Sequence, residues 1–82
     1  MKRIDPPDPT FTVNAYAGYK GEETPRSFII KGRTFSVVEI VDRWYSEERA
    51  FFRVLADDGY RYVLRYDMEK GRWELIMQEA KR

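Results

Sequence analysis

The 82-residue chain contains neither cysteine nor histidine. Without cysteine there is no disulfide framework and no thiolate to act as nucleophile or ligand, which fits a reducing compartment. Without histidine the usual general base, the commonest metal ligand and the side chain that titrates near neutral pH are all missing. An excess of one charge is lacking too. Fifteen Lys and Arg stand interspersed with fourteen Asp and Glu, for a net charge of +1, which is nothing like a polyanion-binding tail. No window approaches the roughly 18 apolar residues of a membrane-spanning helix. The basic pair Lys2-Arg3 leads into Asp5-Pro6-Pro7 rather than an apolar run, so it does not read as a signal peptide. The expectation is one small soluble domain in the cytoplasm.

What the chain does have is rings. Aromatic residues make up 16% of it, and each brings a large area to bury. That matters because a chain this short buries only roughly 60–65% of the surface it exposes when unfolded.

The region from Thr34 to Met77 reads as consecutive antiparallel strands. Its middle is the hairpin Phe51 to Tyr66, turning at Asp57-Asp58-Gly59. A two-residue turn there would set Phe52 against Arg65. A three-residue loop with Gly59 in the left-handed position pairs Ala56 with Tyr60, Val54 with Tyr62 and Phe52 with Leu64. That register gathers the apolar residues on one face and sends Arg53, Arg61 and Arg65 to the other, and burial selects it because a one-residue slip exchanges the faces. A four-residue loop Met68-Glu69-Lys70-Gly71 continues the pattern. It sets Asp67 against Arg72, Tyr66 against Trp73, Leu64 against Leu75, Tyr62 against Met77 and, on the polar face, Arg65 against Glu74. Two loops of different length agree about which side is inside.

Residues 1–10 hold three of the four prolines and read as a flexible lead-in. Phe11–Tyr16 alternates weakly, as an edge strand would. Ala17–Arg26 follows as a polar, glycine-containing loop, and Ser27–Lys31 as a second strand. A turn at Gly32-Arg33 would set Ile30 against Phe35 and Phe28 against Val37. Along Thr34–Tyr45 the apolar parity changes, Phe35 and Val37 against Val38, Ile40 and Trp44. Either a bulge near Val37-Val38 reconciles them, or this is a central strand buried on both sides. Residues 78–82 read as a frayed tail, which leaves 11–77 as the domain.

Five or six short strands in hairpin order, with one apolar face and nothing to cover it, must close or pair. The expected fold is all-β, an antiparallel meander closed as a small, partly open SH3-like barrel. A sheet whose apolar face meets a second copy is the alternative. The expected core is Phe28, Ile30, Phe35, Val38, Ile40, Trp44, Phe52, Val54, Tyr62, Leu64, Tyr66, Trp73 and Leu75.

Several segments carry a resemblance. Tyr16-Ala17-Gly18-Tyr19-Lys20-Gly21-Glu22-Glu23-Thr24-Pro25-Arg26-Ser27-Phe28 resembles the opening of a widespread family of small bacterial cytoplasmic proteins labelled only as uncharacterised. Glu39–Tyr45, Phe52-Arg53-Val54 with Asp57-Asp58-Gly59, Leu64–Asp67 and Trp73-Glu74-Leu75 resemble its remainder. The half containing Asp42-Arg43-Trp44 is also similar to small proteins encoded beside translesion polymerases. The first resemblance implies no activity, cofactor or substrate; the second adds slightly to a nucleic-acid reading.

Three surfaces are candidates for function. The first is the loop with Tyr16, Tyr19, Lys20, Glu22 and Arg26, where two glycines could expose backbone N–H groups beside cations. It matches no phosphate-loop spacing, and Tyr19 and Pro25 could simply cap a barrel mouth. The second is Arg53, Arg61 and Arg65 beside Phe51, a pattern that can hold single-stranded nucleic acid by stacking and phosphate contact; cross-strand pairing with acids such as Glu74 competes with it. The third is Arg43, Trp44 and Tyr45, residue types favoured as interface anchors, against a strand end with Trp44 in the core. Catalysis finds no nucleophile–base pair, and adjacent Asp57 and Asp58 are accounted for by turn chemistry. The expected function is non-catalytic protein binding, without metal or cofactor and with a second copy among the candidate partners. Weak single-stranded nucleic-acid binding is the alternative.

Overall fold

The computed structural model describes residues 11–17 and 23–79. They form six strands and no helix: β1 (Thr12–Ala17), β2 (Glu23–Ile30), β3 (Arg33–Ser46), β4 (Arg49–Ala56), β5 (Arg61–Asp67) and β6 (Arg72–Glu79). Sheet order follows chain order, and every pairing is antiparallel. In a flat sheet β2 and β5 would lie three strand spacings apart, about 14 Å. Yet the rings of Phe28 on β2 and Tyr62 on β5 meet edge to face with centroids 5.0 Å apart. The sheet therefore curls into a partly open barrel with its apolar face inside.

The β4–β5 hairpin has the expected three-residue loop. Val54 faces Tyr62 and Phe52 faces Leu64, and Gly59 has φ +87°. Asp58 fixes the loop from within: one carboxylate oxygen accepts the Tyr60 N–H at 3.0 Å and the other accepts the Tyr62 hydroxyl at 2.6 Å. Burial and that bond to a carboxylate both favour the neutral phenol and push the Tyr62 pKa well above its ordinary value. The β5–β6 loop also matches, with Asp67 opposite Arg72, Tyr66 opposite Trp73, Leu64 opposite Leu75 and Arg65 opposite Glu74. Asp67 closes it by accepting the N–H groups of Glu69 and Lys70 at 3.0 and 3.1 Å. The Lys70 N–H, then that of Glu69 and the charge of Arg49, hold its carboxyl below the usual range against the opposing effect of burial.

Four details differ from expectation. The β2–β3 turn is Lys31-Gly32, not Gly32-Arg33. Both residues have positive φ, +51° and +83°, the pattern whose twist suits a two-residue hairpin. Phe28 then faces Phe35, ring stacked on ring at 5.4 Å. The slip is by two residues, so the inward face is unchanged. Second, β2 begins at Glu23, so Glu23–Arg26 is strand rather than loop. Pro25 is buried beside a bulge where Arg26 is the extra residue, a place in a sheet that tolerates its missing N–H.

Third, β3 carries the expected bulge at Val38 and another at Val41. Extra residues are thrust outward, and Val38 is 62% exposed instead of in the core. The second bulge reverses the parity beyond it and turns Trp44 outward. Fourth, Ile76 is an extra residue in β6, so Tyr62 faces Gln78 rather than Met77, and Leu75 lies at the exposed margin. The strand continues through Gln78 and Glu79, beyond the expected end of the domain at residue 77.

The core is accordingly Phe11, Phe28, Phe35, Ala50, Phe52, Val54, Ala56, Tyr62 and Leu64, with Ile30, Ile40, Tyr66 and Trp73 packed against it. Phe28, fully buried and in contact with the rings of Phe11, Phe35 and Tyr62, is its centre.

Candidate functional site

The outward face of β3–β6 is organised in cross-strand rows. One row runs Trp44, Phe51, Arg65, Glu74; the next Asp42, Arg53, Val63, Met77; the next Glu39, Leu55, Arg61, Glu79. Trp44 and Phe51 stack in parallel, 5.3 Å apart with 1° between planes. The Arg53 guanidinium lies over the Trp44 ring at 5.4 Å. This face thus brings together all three of the arginines singled out for nucleic acid, together with an aromatic pair.

The charges of Arg53 and Arg65, however, are met by acids. The Nε of Arg53 donates to Glu79 at 3.1 Å and its Nη1 reaches Asp42 at 3.4 Å. The Nε of Arg65 donates to Glu74 at 2.8 Å. Arg61 differs, its Nε being buried with no hydrogen-bond partner among the described residues. In the same rows Val63, opposite Arg53 and Met77, is buried on the outward face, outside the main core. The second bulge of β3 makes this network, because it brings Asp42 to the same side as Arg53. Sequence reasoning does not reach Asp42 in this role, nor Glu79, which reads from the sequence as part of the tail.

Arg43, Trp44 and Tyr45 do not form one patch. Strand alternation places Arg43 on the inward side with its guanidinium over the Phe52 ring at 5.4 Å. Tyr45, also inward, is half exposed beside the β3–β4 turn, while Trp44 is outward. There the Met68 N–H donates to the Glu48 carbonyl at 2.8 Å, joining the β3–β4 and β5–β6 turns. Of the expected loop residues, Tyr16 and Arg26 stand on β1 and β2 with the guanidinium over the ring at 5.8 Å. Tyr19, Lys20 and Glu22 lie outside the described residues.

One surface was not singled out. Leu75, Ile76 and Met77 are 36%, 41% and 49% exposed on β6, a strand at the end of the sheet order. Three consecutive apolar residues break the strand's alternation, a bulge signature legible in the sequence. Among the described residues, no cluster of Asp and Glu gathers as a metal site, and no helix is long and apolar enough to cross a membrane.

Comparison with protein-family models, curated proteins and solved structures finds no match. The geometry of the surface is therefore what bears on function.

Proposed function

We propose that the protein is a non-catalytic module that binds another protein, a cytoplasmic member of the small bacterial family it resembles. One contrast supports this reading. Arg53 and Arg65 are neutralised by acids on their own face, whereas Leu75, Ile76 and Met77 stand exposed on the last strand of the sheet. A polyanion would have to compete with those carboxylates. A protein partner would cover the apolar strip, and a strand edge that no described residue pairs with offers backbone groups for it to bind. A photo-cross-linking residue placed at Ile76 should give a discrete protein adduct in cells that is lost with Met77→Arg. A folded protein that yields no adduct would refute the module.

A second reading, weak single-stranded nucleic-acid binding, is favoured by one observation: the Trp44–Phe51 stack shares its face with Arg53, Arg61 and Arg65. It requires a salt-sensitive complex with a labelled single strand, abolished when the three arginines become glutamine. The protein-binding reading expects no such complex.

A further inference from the structure

The backbone of β6 specifies what could pair with it. The Ala56 N–H donates to the Tyr60 carbonyl at 2.9 Å, so the inward residues of β4 and β5 bond to each other. Antiparallel alternation then directs the outward residues of β5 toward β6. Their partners Arg72, Glu74, Met77 and Glu79 therefore bond inside the sheet. The backbone groups of Trp73, Leu75 and Gln78 are left pointing to the strand's other edge.

Two copies of β6 meeting antiparallel about a two-fold axis must place outward residues opposite outward ones. The Ile76 bulge restricts the choices. An axis through Ile76 would set inward Trp73 against outward Glu79, and an axis through Leu75 would set inward Trp73 against outward Met77. An axis between Ile76 and Met77 keeps the faces matched but sets Glu74 against Glu79 twice, a like-charge pair. An axis between Leu75 and Ile76 matches the faces of every pair outside the bulge and opposes unlike charges, the one mismatch being the central pair where Leu75 meets the extra residue Ile76. Trp73 meets Gln78 with both backbones directed at each other. Glu74 meets Met77, Leu75 meets Ile76, and Arg72 meets Glu79 twice, once on each side of the axis.

We infer that the chain forms a homodimer by pairing β6 with β6 of a second copy in this register, burying Leu75, Ile76 and Met77 at the seam. This rests on the reading of β6 as the recognition surface and names its occupant. Between the terminal residues Arg72 and Glu79, Glu74 is the strand's single charge, which leaves the edge without the lysines or proline that commonly block such pairing.

The test is sedimentation over a concentration series, with the fold of each variant followed by tryptophan fluorescence. The native chain should give a species of twice the 9.9 kDa chain mass. Ile76→Lys and Arg72→Glu should each give the monomer, while Arg72→Lys, which keeps the charge facing Glu79, should retain the dimer. Amide exchange supplies a second readout. Protection at Trp73 and Gln78 should rise with concentration, while Glu74 and Met77, bonded to β5, should be protected throughout. A monomer at every concentration, or a dimer indifferent to these substitutions, overturns the inference. A monomer that still forms the Ile76 cross-link to another protein would overturn self-pairing alone and leave the module standing.

Discussion

Replacing Tyr62 with Phe removes one oxygen and tests the link between the loop and the core. The ring would keep its contacts with Phe28 and Phe35, at 5.0 and 5.7 Å. What disappears is the 2.6 Å bond to the Asp58 carboxylate, a length typical of a charge-assisted bond. Such bonds contribute about 1.5–3 kcal/mol. Asp58 keeps the Tyr60 N–H and some solvent, so the net cost should be about 1–2 kcal/mol, a fall in Tm of about 4–16 °C for a domain of this size. The pH dependence carries a sign. The folded state raises the Tyr62 pKa, so its stabilising effect is complete below the ordinary phenol value of about 10 and is lost as pH rises beyond it. Urea unfolding followed by Trp44 and Trp73 fluorescence, from neutral pH to strongly alkaline pH, reads both effects. The gap between native protein and variant should narrow above about pH 10. A variant as stable as the native protein at neutral pH, or a gap unchanged in alkali, would refute the reasoning.

Asp67→Asn should act at the other end of the scale: the lowered carboxyl pKa stabilises the native fold above about pH 4, an effect lost on further acidification, so the variant's acid limb should be flatter in the same unfolding assay. Glu47, with φ +53° in the β3–β4 turn, occupies a left-handed conformation, and Glu47→Gly should raise stability by about 0.5 kcal/mol in urea unfolding. A double-mutant cycle on Arg65 and Glu74, each changed to alanine, should give a coupling of about 0.2–1 kcal/mol that shrinks with added salt. Phe28→Ala should cost about 3–5 kcal/mol, enough to abolish the cooperative thermal transition of a domain this small.

The parts of the fold legible in the sequence were those where alternation and turn chemistry agreed. Asp58-Gly59 and the four residues before Arg72 set two registers because any slip would have buried arginines. At Lys31-Gly32 the sequence offered two turns that bury the same face, so burial could not choose between them; backbone twist did. Val38, Val41 and Ile76 show the general difficulty. A bulge moves a side chain through the sheet without changing its chemistry, and only the partner strand reveals which residue is extra. Val38 announced itself by a visible change of parity. Val41 sits just before the polar Asp42-Arg43, where no parity can be read, so alternation alone keeps Trp44 on the same side as Ile40. The arginine face was foreseen, but its neutralisation by Asp42 and Glu79 depended on that bulge and on a strand longer than its apolar residues suggested.

The curl of the sheet has a kinetic consequence. Every ladder joins strands adjacent in the chain, so each hairpin can zip with only a short loop to close. The step that must reach across 34 residues is the meeting of Phe28 with Tyr62. Folding should therefore be rapid up to that docking event and limited by it: weakening the cluster would slow formation of the native state, while loosening an outer ribbon would chiefly hasten its loss.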